Sequence, residues 1–251
     1  MKRLKIGLMA AILLGTIFCA PSQKKIILDK ENDPQYQYEK AVLAMQYGLP
    51  DEALKYVDQA LSLDPRHFQS LSLQGLIQLK KGNYAESASA FEKCLEIKTD
   101  VADTHNYLGQ AYQNLGQKDR AEAEFQKAYA LNGNANAAYN LAQINYGRKS
   151  LEPALDYVEK AIQGSKKEAA FFNLKGIILN QLGRYSEAVP SFLAGLALMP
   201  GDVNMNINLG ITYMNDKQLD KARGTFEKVL PLIKDQALIK RVKDYLGAIK
   251  K

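Results

Sequence analysis

The sequence predicts an all-α solenoid made of six copies of one helix pair and closed by a C-terminal capping helix. Three observations predict it. A small residue recurs at Ala41, Gly75, Gly109, Ala142, Gly176 and Gly210, at spacings of 34, 34, 33, 34 and 34. Twelve residues after each stands a second small residue: Ala53, Ser87, Ala121, Ala154, Ala188 and Ala222. Four residues later comes a larger one: Val57, Phe91, Phe125, Val158, Phe192 and Phe226. Self-similarity at such a period marks units that bury their apolar faces only by stacking on one another. The 251 residues are 47% hydrophobic and 24% charged, which excludes a disordered or low-complexity chain. Two Cys exclude a disulfide framework, and two His leave little scope for a metal site.

The first element, residues 1–18, reads as an address. Lys2, Arg3 and Lys5 precede an apolar run from Ile6 to Phe18, and Cys19-Ala20-Pro21-Ser22 follow. A charged start, a short apolar run and small residues after it describe a secretory signal, and a bilayer span needs about 20 residues. Cys19 at the end of the run resembles a bacterial lipoprotein signal, in which Cys19 becomes the lipidated first residue. Phe18 stands where that pattern has a small residue, so ordinary secretion and an uncleaved anchor are the alternatives. Stable anchoring takes more than one acyl chain. Residues 19–33 lack periodicity and read as a tether.

The repeats follow at 34–67, 68–101, 102–134, 135–168, 169–202 and 203–236. Each is expected to be helix A, a turn and helix B. The small residues mark the close approach of A to B, and the bulky residue fills the space beside it. Gly48, Gly82, Gly116 and Gly183 allow the left-handed conformation that ends helix A. Lys149 and Lys217 replace that glycine in repeats 4 and 6, so looser turns are expected there. Pro190 is expected to bend helix B of repeat 5, and Pro231 to shorten helix B of repeat 6. Residues 237–251 place Leu238, Val242, Tyr245, Leu246 and Ile249 on one helical face, as a cap requires.

This pattern resembles the tetratricopeptide family, with Leu108-Gly109-Gln110-Ala111-Tyr112, Ala121 and Phe125 as its best copy. The resemblance covers residues 34–236 and implies a right-handed superhelix whose A helices line a concave groove. The first aromatic position lacks Trp and carries Gln37, Leu71, His105, Ala138, Phe172 and Asn206.

Chemistry is sparse. There is no phosphate loop, H-E-x-x-H or C-x-x-C. Cys94 stands at a packed small position and reads as an inert core thiol. The chain is read as non-catalytic, without cofactor or metal. The net charge of +6 falls to +3 without the leader, and its cations are interspersed with acids, which excludes a nucleic-acid stripe.

The resemblance places positions 2, 5, 9, 12 and 13 of each repeat in the groove. They give Asn106, Gln110 and Gln113 in repeat 3, then Asn136, Tyr139, Gln143 and Tyr146 in repeat 4. Asn173, Ile177 and Asn180 follow in repeat 5 and Ile207 and Ile211 in repeat 6, with Asn140 and Asn208 at the neighbouring position. Amides carry donor and acceptor together and suit a peptide backbone of any sequence. Asn is a mediocre helix former, so its clustering needs a reason.

Leader, lipid anchor and six repeats together resemble the type IV pilus biogenesis lipoproteins of the pilotin-type PilF/PilW family. That resemblance implies an outer-membrane protein facing the periplasm, with a secretin subunit as client. The alternatives are a scaffold for peptidoglycan enzymes and a periplasmic chaperone-like peptide binder. In repeats 1 and 2 the groove positions are more apolar, with Tyr38, Val42, Met45, Leu76 and Leu79, which is compatible with a homo-oligomer.

Overall fold

The computed structural model describes residues 30–249. The predicted leader, Cys19 and most of the tether lie outside the described residues. The described part is all-helical and forms two compact units, one ending at Pro65 and one beginning at Arg66.

The first unit holds α1 (Pro34–Gln46) and α2 (Pro50–Leu63). Asp33 caps α1 by accepting from the Gln35 N–H at 2.9 Å, and Pro34 and Pro50 open the two helices where no N–H is needed. Ala41, Ala53 and Val57 are fully buried between them. Residues 30–33, at the end of the predicted tether, contact α1. Gln37 Nε2 donates to the Glu31 carbonyl at 2.7 Å, and Lys40 Nζ lies 3.2 Å from the Glu31 carboxylate.

The second unit stacks five helix pairs and a cap. They are α3 (Phe68–Lys81) with α4 (Tyr84–Ile97), α5 (Ala102–Asn114) with α6 (Lys118–Asn132), and α7 (Ala135–Gly147) with α8 (Leu151–Gly164). Then come α9 (Ala169–Gln181) with α10 (Tyr185–Leu198), and α11 (Val203–Asn215) with α12 (Leu219–Val229). A 3-10 turn at Leu230–Leu232 leads to α13 (Gln236–Ile249). Each A helix packs on its own B helix, and α5, α7, α9 and α11 pack also on the B helix before them. Pro231 sits in that turn and α12 is 11 residues long, as expected. Helix α10 runs on through Pro190 as one element. Val242 and Ile249 of the cap are buried.

The repeat interior is fitted by size. A Cβ on Gly75, Gly109, Gly176 or Gly210 would sit 2.7, 2.6, 2.6 or 2.5 Å from a ring carbon of Phe91, Phe125, Phe192 or Phe226. Where the small residue is alanine, at Ala41 and Ala142, its partner is Val57 or Val158. Such complementarity matters because protein interiors are close-packed. Ser87, at the second small position, keeps its hydroxyl satisfied by donating to the Gly75 carbonyl at 2.9 Å.

The A–B turns share one backbone pattern, and here the structure corrects an expectation. Lys149 and Lys217 take φ of 62° and 58°, beside 72° to 81° for Gly48, Gly82, Gly116 and Gly183. The lysine turns keep both closing hydrogen bonds, Lys149 N to Tyr146 O at 2.9 Å and Ser150 N to Asn145 O at 2.9 Å in repeat 4. Repeat 6 has Lys217 N to Met214 O at 3.0 Å and Gln218 N to Tyr213 O at 2.8 Å. These turns are not loosened. The paired hydrogen bonds hold lysine in a left-handed conformation that costs about 1–2 kcal/mol for a residue with a Cβ.

Candidate functional site

Helices α5, α7, α9 and α11 bring the predicted amides together as rungs across successive repeats. Residues at adjacent repeat positions, 34 or 35 apart in sequence, meet from neighbouring A helices. Asn140 Nδ2 donates to Asn106 Oδ1 at 3.0 Å, joining α7 to α5. Gln181 Nε2 donates to the Tyr146 hydroxyl at 2.8 Å, joining α9 to α7, and the Tyr139 and Phe171 rings meet at 4.9 Å between the same helices. Helices α9 and α11 are joined by Asn208 to Asn173 at 3.4 Å, Asn215 to Asn180 at 3.2 Å, and Asn180 to the Thr212 hydroxyl at 3.1 Å.

The rungs divide the predicted residues by depth. Asn106 and Asn140 are buried, at 3% and 8% exposure, so their amides serve each other first. Gln113 and Asn136 are exposed. Gln110, Tyr139, Gln143, Tyr146, Asn173, Ile177, Asn180, Asn208 and Ile211 are half-buried, with part of each side chain open to a ligand. Ile207, expected in the groove, is 3% exposed and belongs to the apolar core. Each rung uses one donor and one acceptor, so an Asn or Gln in it retains an N–H and a lone pair.

Two concavities open on this surface. One, of about 260 Å³, is lined by Ile177, Asn180, Gln181, Asn208 and Asn215, with no charged group. The other, also about 260 Å³, has Gln113, Gln143 and Ile144 at its wall and Lys118 and Arg148 at its rim. Arg148 already holds Glu122 through two parallel hydrogen bonds of 2.9 and 2.7 Å. Burial pushes the Tyr139 phenol above its ordinary value, partly offset by the hydrogen bond from Gln143, so it stays protonated. The arrangement offers neutral donors and acceptors over an apolar floor.

Sequence reasoning missed one buried polar pair. His105 of α5 sets Nδ1 2.6 Å from Glu124 Oε2 of α6 and Nε2 2.8 Å from the Thr99 carbonyl. Lys127 Nζ reaches the other Glu124 oxygen at 2.8 Å. A signal existed: among Tyr56, Ala90, Glu124, Tyr157, Ser191 and Thr225, which precede the bulky residue, one is acidic, and its repeat carries His105. Cys94 is fully buried, with its thiol 3.8 Å from the Phe68 carbonyl. Among the described residues, no group of three or more His, Cys, Asp or Glu is placed to hold a metal ion, and no helix is long and apolar enough to cross a membrane.

Tetratricopeptide repeat profiles match residues 38–101, 102–135 and 173–237. Anaphase-promoting complex subunit 3 of Schizosaccharomyces pombe is 26% identical over 195 residues, covering 76% of this chain and 29% of that protein. The chain spans less than two-fifths of the length of such curated relatives. Among solved structures, PilW, a type IV pilus biogenesis factor, superimposes with a TM-score of 0.71 at 14% identity, over 87% of this chain and 98% of PilW. The pilF protein of Pseudomonas aeruginosa gives 0.61 at 20% identity, over 72% and 88%. These likenesses show the fold. The repeat register, the fitted small and bulky positions and the profile matches agree: the chain belongs to the tetratricopeptide repeat family, a scaffold for protein–protein interaction.

Proposed function

We propose that the chain is a non-catalytic, lipid-anchored adaptor of the bacterial envelope that holds an extended client polypeptide along α5, α7, α9 and α11, in the manner of a pilotin for a type IV pilus secretin. One observation carries the client-binding part: half-buried Asn173, Asn180 and Asn208 are held by hydrogen bonds between α9 and α11, beside a concavity that no charged group lines. Spare amide donors and acceptors match a peptide backbone without selecting its sequence. Tyr139 and Tyr146 add rigid contact area with polar tips. The rungs hold these side chains in place before a client arrives, which lowers the ordering cost of binding.

The pilus assignment is supported by the likeness to PilW and pilF over most of this chain and of those proteins. It is a reading by analogy, because one fold hosts many functions. The anchor rests on Cys19, which follows a charged start and a short apolar run. Lipidation at Cys19 fixes where the client is held, at the outer membrane facing the periplasm.

The test is to crosslink the tagged full-length chain in its native cells and identify what co-purifies, beside a Cys19→Ala variant. Enrichment of a secretin, with the variant lost from membranes, is expected. Enrichment of cell-wall enzymes without a secretin overturns the pilus assignment. A Cys19→Ala protein that stays membrane-bound overturns the lipid anchor.

A further inference from the structure

The last repeat carries a further concavity, away from the amide rungs. A cleft of about 370 Å³ lies between α10, α11 and α12. Leu193, Leu196, Leu209 and Tyr213 form its apolar surface, and Leu193 is 48% exposed. Lys221 and Lys228 of α12 stand at its edge, with Lys221 Nζ 5.6 Å from the centre of the Tyr213 ring.

Gly224 lies between those lysines. Gly75, Gly109, Gly176 and Gly210 are each required by a facing phenylalanine, but a Cβ on Gly224 would meet nothing within 4 Å. A glycine inside a helix is about 1 kcal/mol less favourable than alanine. Among the described residues no contact calls for this one, and it leaves the cleft open.

The charge is uneven as well. In the preceding repeats Arg120, Lys127, Arg148, Lys160, Lys175 and Arg184 each have a carboxylate within 4 Å, while Lys93, Lys118 and Lys149 have none among the described residues. On α12, Lys221, Arg223 and Lys228 have none among the described residues, and Arg223 Nε is buried without an acceptor. Residues 203–251 contain ten Lys and Arg against five Asp and Glu. Asp220 and Glu227 share α12 but do not line the cleft.

We infer that this cleft docks an acidic helical segment of a partner protein, which inserts an apolar side chain beside Gly224 and sets carboxylates against Lys221 and Lys228. The two lysines are seven residues apart, two turns or about 10 Å along α12. A partner helix with acids seven apart and a leucine midway matches that spacing. The concave, glycine-opened shape suits an inserted side chain and not a flat lipid surface. The site is separate from the amide rungs, so it stands or falls independently of the function proposed above.

The test uses the full chain and a fluorescein-labelled helical peptide with two Glu seven apart and Leu between them, read by anisotropy. The controls are the same peptide with Lys for Glu and vesicles of phosphatidylglycerol. The acidic peptide is expected to bind and the basic one not. Lys221→Glu with Lys228→Glu weakens binding at least tenfold. Gly224→Leu fills the cleft and abolishes binding without lowering the melting temperature. Equal binding of both peptides, or binding that survives Gly224→Leu, overturns the inference. Loss of binding through Asn180→Ala instead assigns the peptide to the groove and also overturns it. Vesicle binding lost in the same lysine variants, without peptide binding, replaces the protein partner with a lipid surface.

Discussion

The Phe125 ring occupies the space that a side chain on Gly109 would need: a Cβ there would lie 2.6 Å from ring carbon Cε1. The same fit recurs along the chain, glycine with phenylalanine and alanine with valine, so each pair is chosen together. Gly109→Ala is therefore expected to destabilise by about 1–3 kcal/mol through overpacking, despite alanine's better helix propensity. Phe125→Val alone leaves a cavity. The double variant recreates the Ala142–Val158 pair and is expected to recover at least about 1 kcal/mol of the summed losses. Urea denaturation of the four proteins in the cycle checks this, and simple additivity would refute the size-matching account.

Lys149 and Lys217 hold left-handed turns that four other repeats give to glycine. Lys149→Gly and Lys217→Gly are each expected to stabilise by about 0.5–1 kcal/mol, the relief of Cβ strain less the extra chain entropy of glycine. A thermal melt of each variant measures it. Lower stability would mean that the lysine side chains make compensating contacts.

His105 meets an acceptor at each ring nitrogen, Glu124 Oε2 at 2.6 Å and the Thr99 carbonyl at 2.8 Å. It ties the turn between repeats to both helices of repeat 3. Leaving a buried hydrogen-bonding group without its partner costs about 1–3 kcal/mol. Lys127 still reaches Glu124, so His105→Ala is expected to cost about 2 kcal/mol. Replacing both, as His105→Leu with Glu124→Leu, is expected to cost less than His105→Ala. Equilibrium unfolding distinguishes the two, and the reverse order would contradict the pairing.

Burial pushes the Cys94 thiol up to about 12, from an ordinary value of 9.0. The thiolate is the reactive form, so Cys94 in the folded protein is expected to react with a thiol reagent at pH 8 at least 100-fold more slowly than after unfolding. Cys19→Ala makes Cys94 the sole thiol for this measurement. The sign for stability follows. The folded state holds the proton more tightly, so this contribution is complete below pH 9 and is lost as pH rises toward 12. Rapid labelling of the native protein would show that the thiol is reached by local opening.

The repeat register was legible because it is written in residue size at fixed spacing, and packing between A and B demands that size at every copy. The pairing of the amides was not. Asn140 finds its partner Asn106 34 residues away on another helix, a relation visible only once the repeats stack. Position within a repeat indicated direction but not depth, so Ile207 was placed in the groove when it lies in the core. The turn at Lys149 was misjudged because residue preference was weighed above the two hydrogen bonds that fix the backbone. His105 stands at the first aromatic position of its repeat, and its partner Glu124 sits 19 residues on, on the other helix of the pair.

The most direct test of the central claim is client retention by groove variants that leave the buried rung intact. Asn106 and Asn140 support each other and are kept. Gln143, Asn173 and Asn180 are half-buried and are changed together to Ala in the full-length protein. Each was chosen to remove a spare donor and acceptor from the open surface. Quantitative co-purification from native cells, with unfolding midpoints measured in parallel, should show client recovery reduced at least tenfold while the fold persists. Unchanged recovery from a folded triple variant would contradict the claim that these amides hold the client.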